Sequence, residues 1–215
     1  MKRFKQTLYI CALAIGGTLA FAFGFSQGDM LGKSFLYESQ PVNVVKVAVH
    51  HGNSSDVGSG CLIRGDLILT CWHVVRDFRA GDKVSVEFET GLVRLGTIEK
   101  TDKRWDLAVI KIDTVLYPVV RPAAKGVQKG QTVNICGFPH GNEYDEVRGR
   151  VHNFRSPDRQ SPQHLFTVNK KAISGMSGGP VFNDGGELVG VLFGSQQYAN
   201  CTGLQAIKHF LRDVK

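Results

Sequence analysis

The sequence predicts an all-β domain preceded by a separate hydrophobic leader. Three observations carry that expectation. Short apolar runs recur between turn signals along most of the chain, glycine is abundant at 25 of 215 residues, and helical periodicity is confined to one C-terminal stretch. Regular short strands with Gly, Asp and Asn turns between them argue for packed β-sheets rather than alternating strands and helices.

In chain order, Lys2, Arg3 and Lys5 form a basic start, and residues 8–25 follow as an uncharged apolar run. Such a run just reaches the length of a membrane span and slightly exceeds a usual signal-peptide core. Ala20-Phe21-Ala22 offers a cleavage site, although bulky Phe23 and Phe25 follow it. Residues 1–25 are therefore read as a signal peptide or a membrane-anchoring helix, 26–41 as a linker, and 42–215 as one folded domain. Either reading exports that domain, with the basic end inside. It would be periplasmic or extracellular, free after cleavage or tethered through residues 8–25.

Within the domain the apolar runs are 42–49, 62–63, 67–70, 84–88, 92–98, 107–112, 133–136, 165–168 and 188–193. Residues 61–63 and 67–70 flank the turn Arg64-Gly65-Asp66 and read as a hairpin that delivers His73 just past its second strand. Trp105-Asp106 stands immediately before the run 107–112, which looks buried for most of its length. The basic stretch Arg148 to Arg159 reads as a solvated loop or hairpin. Leu204, Ile207, Phe210 and Leu211 share one helical face, so a closing helix is expected over 204–214.

The chemistry concentrates in Gly175-Met176-Ser177-Gly178-Gly179-Pro180. A serine between glycines can sit on a tight turn, its hydroxyl projecting while backbone N–H groups converge on one point. A nucleophilic serine needs a base for its proton and a third group to orient that base. His73 and Asp106, each at a strand edge, fit those needs. Taken singly, each of the three is better explained as a structural histidine, a turn carboxylate or a turn serine. Their joint occurrence in order reverses that judgement. Asp102, beside Lys103 and Arg104, is better explained by a solvated turn. Gly175-Met176-Ser177-Gly178-Gly179 also satisfies the G-x-S-x-G pattern of α/β-hydrolases, but that motif requires a helix straight after the serine. Here Pro180-Val181-Phe182 and another turn follow.

These three segments resemble the trypsin-like serine proteases of the chymotrypsin fold, nearest the HtrA-like branch. The order His, Asp, Ser and the intervals of 33 and 71 residues suit that family, over roughly residues 42–212. The resemblance implies a double six-stranded β-barrel with a short C-terminal helix. It implies His73 as general base, Asp106 as its orienting carboxylate and Ser177 as nucleophile. Gly175, Met176 and Ser177 would form the oxyanion turn, with the N–H groups of Gly175 and Ser177 as donors. Phe193, Gly194 and Ser195 would be the edge on which substrate lies by strand addition. The peptide-binding domain common at the end of HtrA-like proteins is expected to be missing. A protein or peptide substrate and an acyl-enzyme intermediate follow from the resemblance, with no cofactor or metal. The contrasting class is a catalytically silent module that binds extended peptide.

Met176 stands where digestive relatives carry an aspartate that pairs with a freed N-terminus, so activation of that kind is not expected. Lys170 and Lys171 fall near the base of the primary specificity pocket. A lysine turned inward would favour an acidic residue before the scissile bond. The glutamate-specific branch, however, has a histidine where this chain has Leu192. That favours a pocket for small or medium apolar residues, with both lysines in solvent.

Net charge is +7, three units of it in the first five residues, which does not call for nucleic acid. The basic stretch leaves open a taste for acidic substrates or an anionic surface. Cys61 and Cys71 lie on the two hairpin strands, which predicts a cross-strand disulfide, with Cys136 and Cys201 remaining by elimination. No metal-binding spacing is present, and the oligomeric state is left open by the sequence.

Overall fold

A computed structural model describes residues 43–51, 54–78, 83–155 and 164–214. The leader 1–25 and the linker 26–41 lie outside the described residues. Among the described residues no helix is long and apolar enough to cross a membrane.

Among the described residues, twelve strands form two closed six-stranded barrels. The first barrel takes β1 (Val44–His51), β2 (Ser54–Arg64), β3 (Leu67–Thr70), β4 (Lys83–Phe88), β5 (Val93–Asp102) and β6 (Leu107–Ile112). They close in the order β1-β2-β3-β6-β5-β4. The second takes β7 (Thr132–Gly137), β8 (Asp145–Arg155), β9 (Leu165–Val168), β10 (Pro180–Asn183), β11 (Leu188–Ser195) and β12 (Ala199–Gly203), closing as β10-β11-β12-β9-β8-β7. Closure removes the exposed sheet edges that short antiparallel strands would otherwise present. The expected all-β class and double barrel are observed, and the hairpin at Gly65-Asp66 forms with Leu62 opposite Ile68.

Each barrel encloses its own apolar cluster. Leu62, Ile68, Leu69, Val86, Phe88, Leu107 and Ile110 fill the first, and Val133, Ile135, Phe166, Met176 and Leu192 the second. Each such side chain contributes about 1.5–3 kcal/mol by leaving water. The C-terminal helix α2 (Leu204–Phe210), continued by a 3₁₀ turn over Leu211–Asp213, follows the second barrel yet packs Ala206, Ile207 and Phe210 into the core of the first.

The basic stretch, read as a solvated loop or hairpin, takes the hairpin form over residues 148–155, as part of strand β8 paired antiparallel with β7 and β9. Its buried face carries Gly149 and Val151 while Arg148, Arg150 and His152 are exposed, so the apolar signal was too thin to see. Strand β12, with only Ala199 and Cys201 as buried apolar residues, gave no signal either. The predicted Cys61–Cys71 disulfide is not made, nor is Cys136–Cys201: all four are free, buried thiols. Register explains the first pair. Leu69 stands opposite Cys61, and Cys71 falls beyond the end of β3, where its Sγ donates to the Leu192 carbonyl at 3.1 Å.

Candidate active site

His73 sits on a single helical turn, α1 (Trp72–Val75), immediately after β3. Val74 and Val75 are buried in the first core and pin this turn, leaving the His73 side chain 30% exposed. Asp106 ends the turn before β6. That turn is closed by Asp102, whose Oδ1 accepts the N–H groups of Arg104 and Trp105 at 2.8 and 3.2 Å. The competing carboxylate is thus a turn cap. The turn is also tied to the second barrel, because Thr202 Oγ1 donates to the Trp105 carbonyl at 2.7 Å.

Asp106 grips His73 twice. Its Oδ1 accepts the His73 backbone N–H at 2.8 Å and its Oδ2 meets Nδ1 at 2.6 Å. An ionised carboxylate on Nδ1 assigns the ring proton to that nitrogen and leaves the Nε2 lone pair free.

Ser177 is half-buried between buried Met176 and Gly178. Gly175 and Gly178 hold φ of +93° and +87°, the left-handed region that glycine alone enters freely. At Gly178 there is also no room for a side chain, since a Cβ would run into the Ser59 carbonyl and the Thr70 hydroxyl and lie 3.0 Å from the Cys71 nitrogen. This close approach sets the serine turn against the start of α1. Gly58 reports the same junction, since a Cβ there would run into the Val74 side chain and lie 2.9 Å from the Ser177 carbonyl.

The Met176 N–H closes the turn on the Ile173 carbonyl at 3.1 Å and the Gly178 N–H donates to Leu192 at 2.8 Å. Among the described residues the N–H groups of Gly175 and Ser177 have no acceptor. Met176 itself contributes a side chain wholly buried in the second core rather than a free donor. The His140 N–H donates to the Ser174 carbonyl at 2.6 Å. A trans peptide points its carbonyl and N–H in opposite directions, so this bond also sets the direction of the Gly175 N–H.

Sequence reasoning missed Ser59. Fully buried, it donates through Oγ to the Gly175 carbonyl at 2.8 Å and accepts the Phe138 N–H at 2.9 Å. Its own N–H donates to the Ser177 carbonyl at 2.7 Å, and its carbonyl accepts Thr70 Oγ1 at 2.6 Å. A small polar residue between two glycines carries no sequence signal of such a hub.

Strand β11 loses its neighbour on one side where the site begins. The Leu192 N–H donates to the Gly179 carbonyl at 2.9 Å, and beyond it Gly194 and Ser195 pair only with Asn200 and Ala199 of β12. Phe193–Ser195 therefore has an open edge. The segment after β9 reaches the end of this strand: the Ala172 N–H donates to Ser195 Oγ at 2.9 Å, while Lys170 and Lys171 are exposed.

Among the described residues, Cys71, His73 and Asp106 bring metal-ligating atoms within 4.8 Å of one another. The Asp106 oxygens are already engaged by His73, however. Burial, with the Asp106 carboxylate adding to it, pushes the Cys71 thiol well above its usual range, so it stays protonated. The cluster is a His–Asp pair beside a buried thiol.

Two barrels with an Asp-gripped histidine and a glycine-flanked serine at their junction define the chymotrypsin-like class, and comparison with known proteins agrees. Residues 58–191 match the family model described as a trypsin-like peptidase domain, and the chain belongs to that family. Among the curated proteins it resembles are several described as probable periplasmic serine endoproteases, DegP-like. A probable periplasmic serine endoprotease, DegP-like, from Marinomonas sp. is 32% identical over 162 residues, covering 73% of this chain and 33% of that protein. The serine protease Rv3671c of Mycobacterium tuberculosis is 26% identical over 151 residues, covering 64% of this chain and 36% of that one. The chain thus spans about a third of the length of these curated relatives. Among solved structures, the active form of the Rv3671c protease superposes with a TM-score of 0.71 at 21% identity, covering 80% of this chain and 81% of that one. A serine endoprotease from Yersinia pestis gives 0.69 at 22% identity, covering 80% and 64%.

Proposed function

We propose that this chain is a serine endopeptidase acting through Ser177, His73 and Asp106. The observation that carries the reading is the two-point grip of Asp106 on His73, which leaves the Nε2 lone pair free on a turn whose start packs against the Ser177 turn at Gly178. In this mechanism Ser177 Oγ attacks a peptide carbonyl while His73 Nε2 takes the hydroxyl proton. His73 then returns that proton to the leaving amine, and Asp106 stabilises the imidazolium formed in between. Water, deprotonated by His73, hydrolyses the acyl-enzyme. The unpaired N–H groups of Gly175 and Ser177 receive the oxyanion, a donor of this kind being worth about 10²–10³ in rate. The open edge at Phe193–Ser195 takes the substrate backbone as an added strand. The work is assigned outside the cytoplasm, with residues 1–25 as signal or anchor, and its substrates are polypeptides handled in quality control or processing.

The test is labelling of the full-length chain by a fluorophosphonate probe, beside Ser177→Ala and His73→Ala. Labelling that requires both residues supports the mechanism. Absence of labelling in a folded chain overturns it in favour of a peptide-binding module.

A further inference from the structure

The strand assigned to substrate runs into a turn that a pair of aromatic rings holds. Phe193 is the extra residue of a β-bulge, since Leu192 stands opposite Cys201 and Gly194 opposite Asn200. It packs against the core of the first barrel, and Ser195 Oγ accepts the Ala172 N–H at 2.9 Å. Gln196, Gln197 and Tyr198 then carry the chain to Ala199, where β12 begins. Among the described residues the hydrogen bonds of this turn are few and long. The Tyr198 carbonyl accepts the Gln196 N–H at 3.3 Å and Asn200 Nδ2 at 3.4 Å, beyond the usual range for N–H donors.

The ring contact is closer to ideal. Tyr198 stacks on the His152 imidazole with centroids 4.3 Å apart and planes 19° from parallel. His152 belongs to β8, and β9 lies between β8 and β12. The pair therefore reaches across a whole strand, about 10 Å of sheet at two interstrand spacings. His152 is itself the extra residue of a bulge, between Val151 opposite Val168 and Asn153 opposite Thr167. Bulges re-aim side chains, and this one leaves Val151 buried and His152 exposed. Tyr198 is half-buried and lies outside the apolar clusters of both barrels. Neither ring is there to fill a core.

We propose that Tyr198 and His152 are positioning residues, a strut that holds the 196–198 turn and with it the Phe193–Ser195 edge in the form that accepts an added strand. This rests on reading that edge as the substrate site. An edge already held in its bound form binds more tightly, because less ordering remains to be done on binding. The strut acts on binding and not on chemistry, since His73, Asp106 and Ser177 stand on α1, on the turn before β6 and on the turn between Gly175 and Gly178.

The experiment compares the full-length parent with Tyr198→Ala, Tyr198→Phe, His152→Ala and the double alanine variant, with casein as an unfolded polypeptide. Cleavage of quenched-fluorescent casein gives kcat and KM, and fluorophosphonate labelling reads Ser177 without an extended substrate. Anisotropy with labelled casein on a Ser177→Ala background gives Kd without turnover. Tyr198→Ala is expected to raise KM and Kd about fivefold, the size of an aromatic-pair contact, with kcat and labelling rate unchanged. Tyr198→Phe keeps the stack and the parental values. His152→Ala reproduces Tyr198→Ala, and the double variant adds nothing further, because the two rings act as one. Unchanged KM and Kd overturn the strut. So do additive effects of the two replacements, or a fall in kcat and labelling in step with binding, which marks general damage. A parent that labels while Tyr198→Ala leaves KM and Kd unmoved keeps the peptidase and loses the strut. A parent that does not label loses the peptidase, and Kd alone then decides the strut. A parent that binds no casein overturns it.

Discussion

Asp106 and His140 are the two described residues other than glycine with positive φ, at 51° and 53°. Both stand at the site, where backbone strain of about 1–3 kcal/mol per residue is held by surrounding bonds. Asp106 is held there by its two bonds to His73, and His140 by its N–H bond to Ser174. Asp106→Asn keeps the shape but loses the charge that fixes the His73 tautomer. Turnover of a quenched-fluorescent peptide is expected to fall about 10³–10⁴-fold in kcat, with KM little changed. Ser59→Ala would leave the Phe138 N–H and the Gly175 carbonyl buried without a partner. Chemical denaturation should show a loss of about 2–4 kcal/mol, and probe labelling of Ser177 should slow. His73, Asp106 and Ser177 were legible in the sequence because each sits in a local context of strand or turn. Ser59 was not, because its partners lie 79 and 116 residues away.

At the level of elements, helix α2 shows how a local pattern acquires a non-local role. Its apolar face was readable from period alone, but its partner was not. Phe210 is buried against the first barrel, and Lys100 of β5 donates to the Phe210 carbonyl at 2.7 Å. Phe210→Ala, close to the end of the chain, is expected to cost about 3–5 kcal/mol, read as a lowered denaturation midpoint with both barrels affected. Strand β8 shows the reverse case. It was hidden because its glycine and cations suit an outward-facing ribbon, and only pairing with β7 and β9 makes it a strand.

For the whole molecule, the junction of the two barrels is what brings the proposed site residues together: α1 and Asp106 come from the first, the serine turn and the β11 edge from the second. The same burial governs the thiols. It pushes Cys136 up to about 12 and raises Cys61, Cys71 and Cys201 as well. Unfolded thiols ionise near pH 8.5 while the folded ones keep their protons, so above that pH the folded state binds more protons and its stability falls as pH rises. The contribution is complete below about pH 8.5 and is lost progressively up to the folded-state values, on the order of 1 kcal/mol per thiol per pH unit. Denaturation midpoints measured from pH 7 to 10 should decline, and a variant with all four replaced by alanine should decline less.

The sequence by itself determined the all-β class, the hairpin that carries His73 and the closing helix, and it supplied the three residues proposed for the site. Those follow from turn chemistry, side-chain period and motif order, all local. Tertiary structure alone decided that the four cysteines of the described residues stay unpaired and that Ser59 links the serine turn to the first barrel. These depend on strand register and on contacts between barrels, which join residues too distant along the chain for any local pattern to encode.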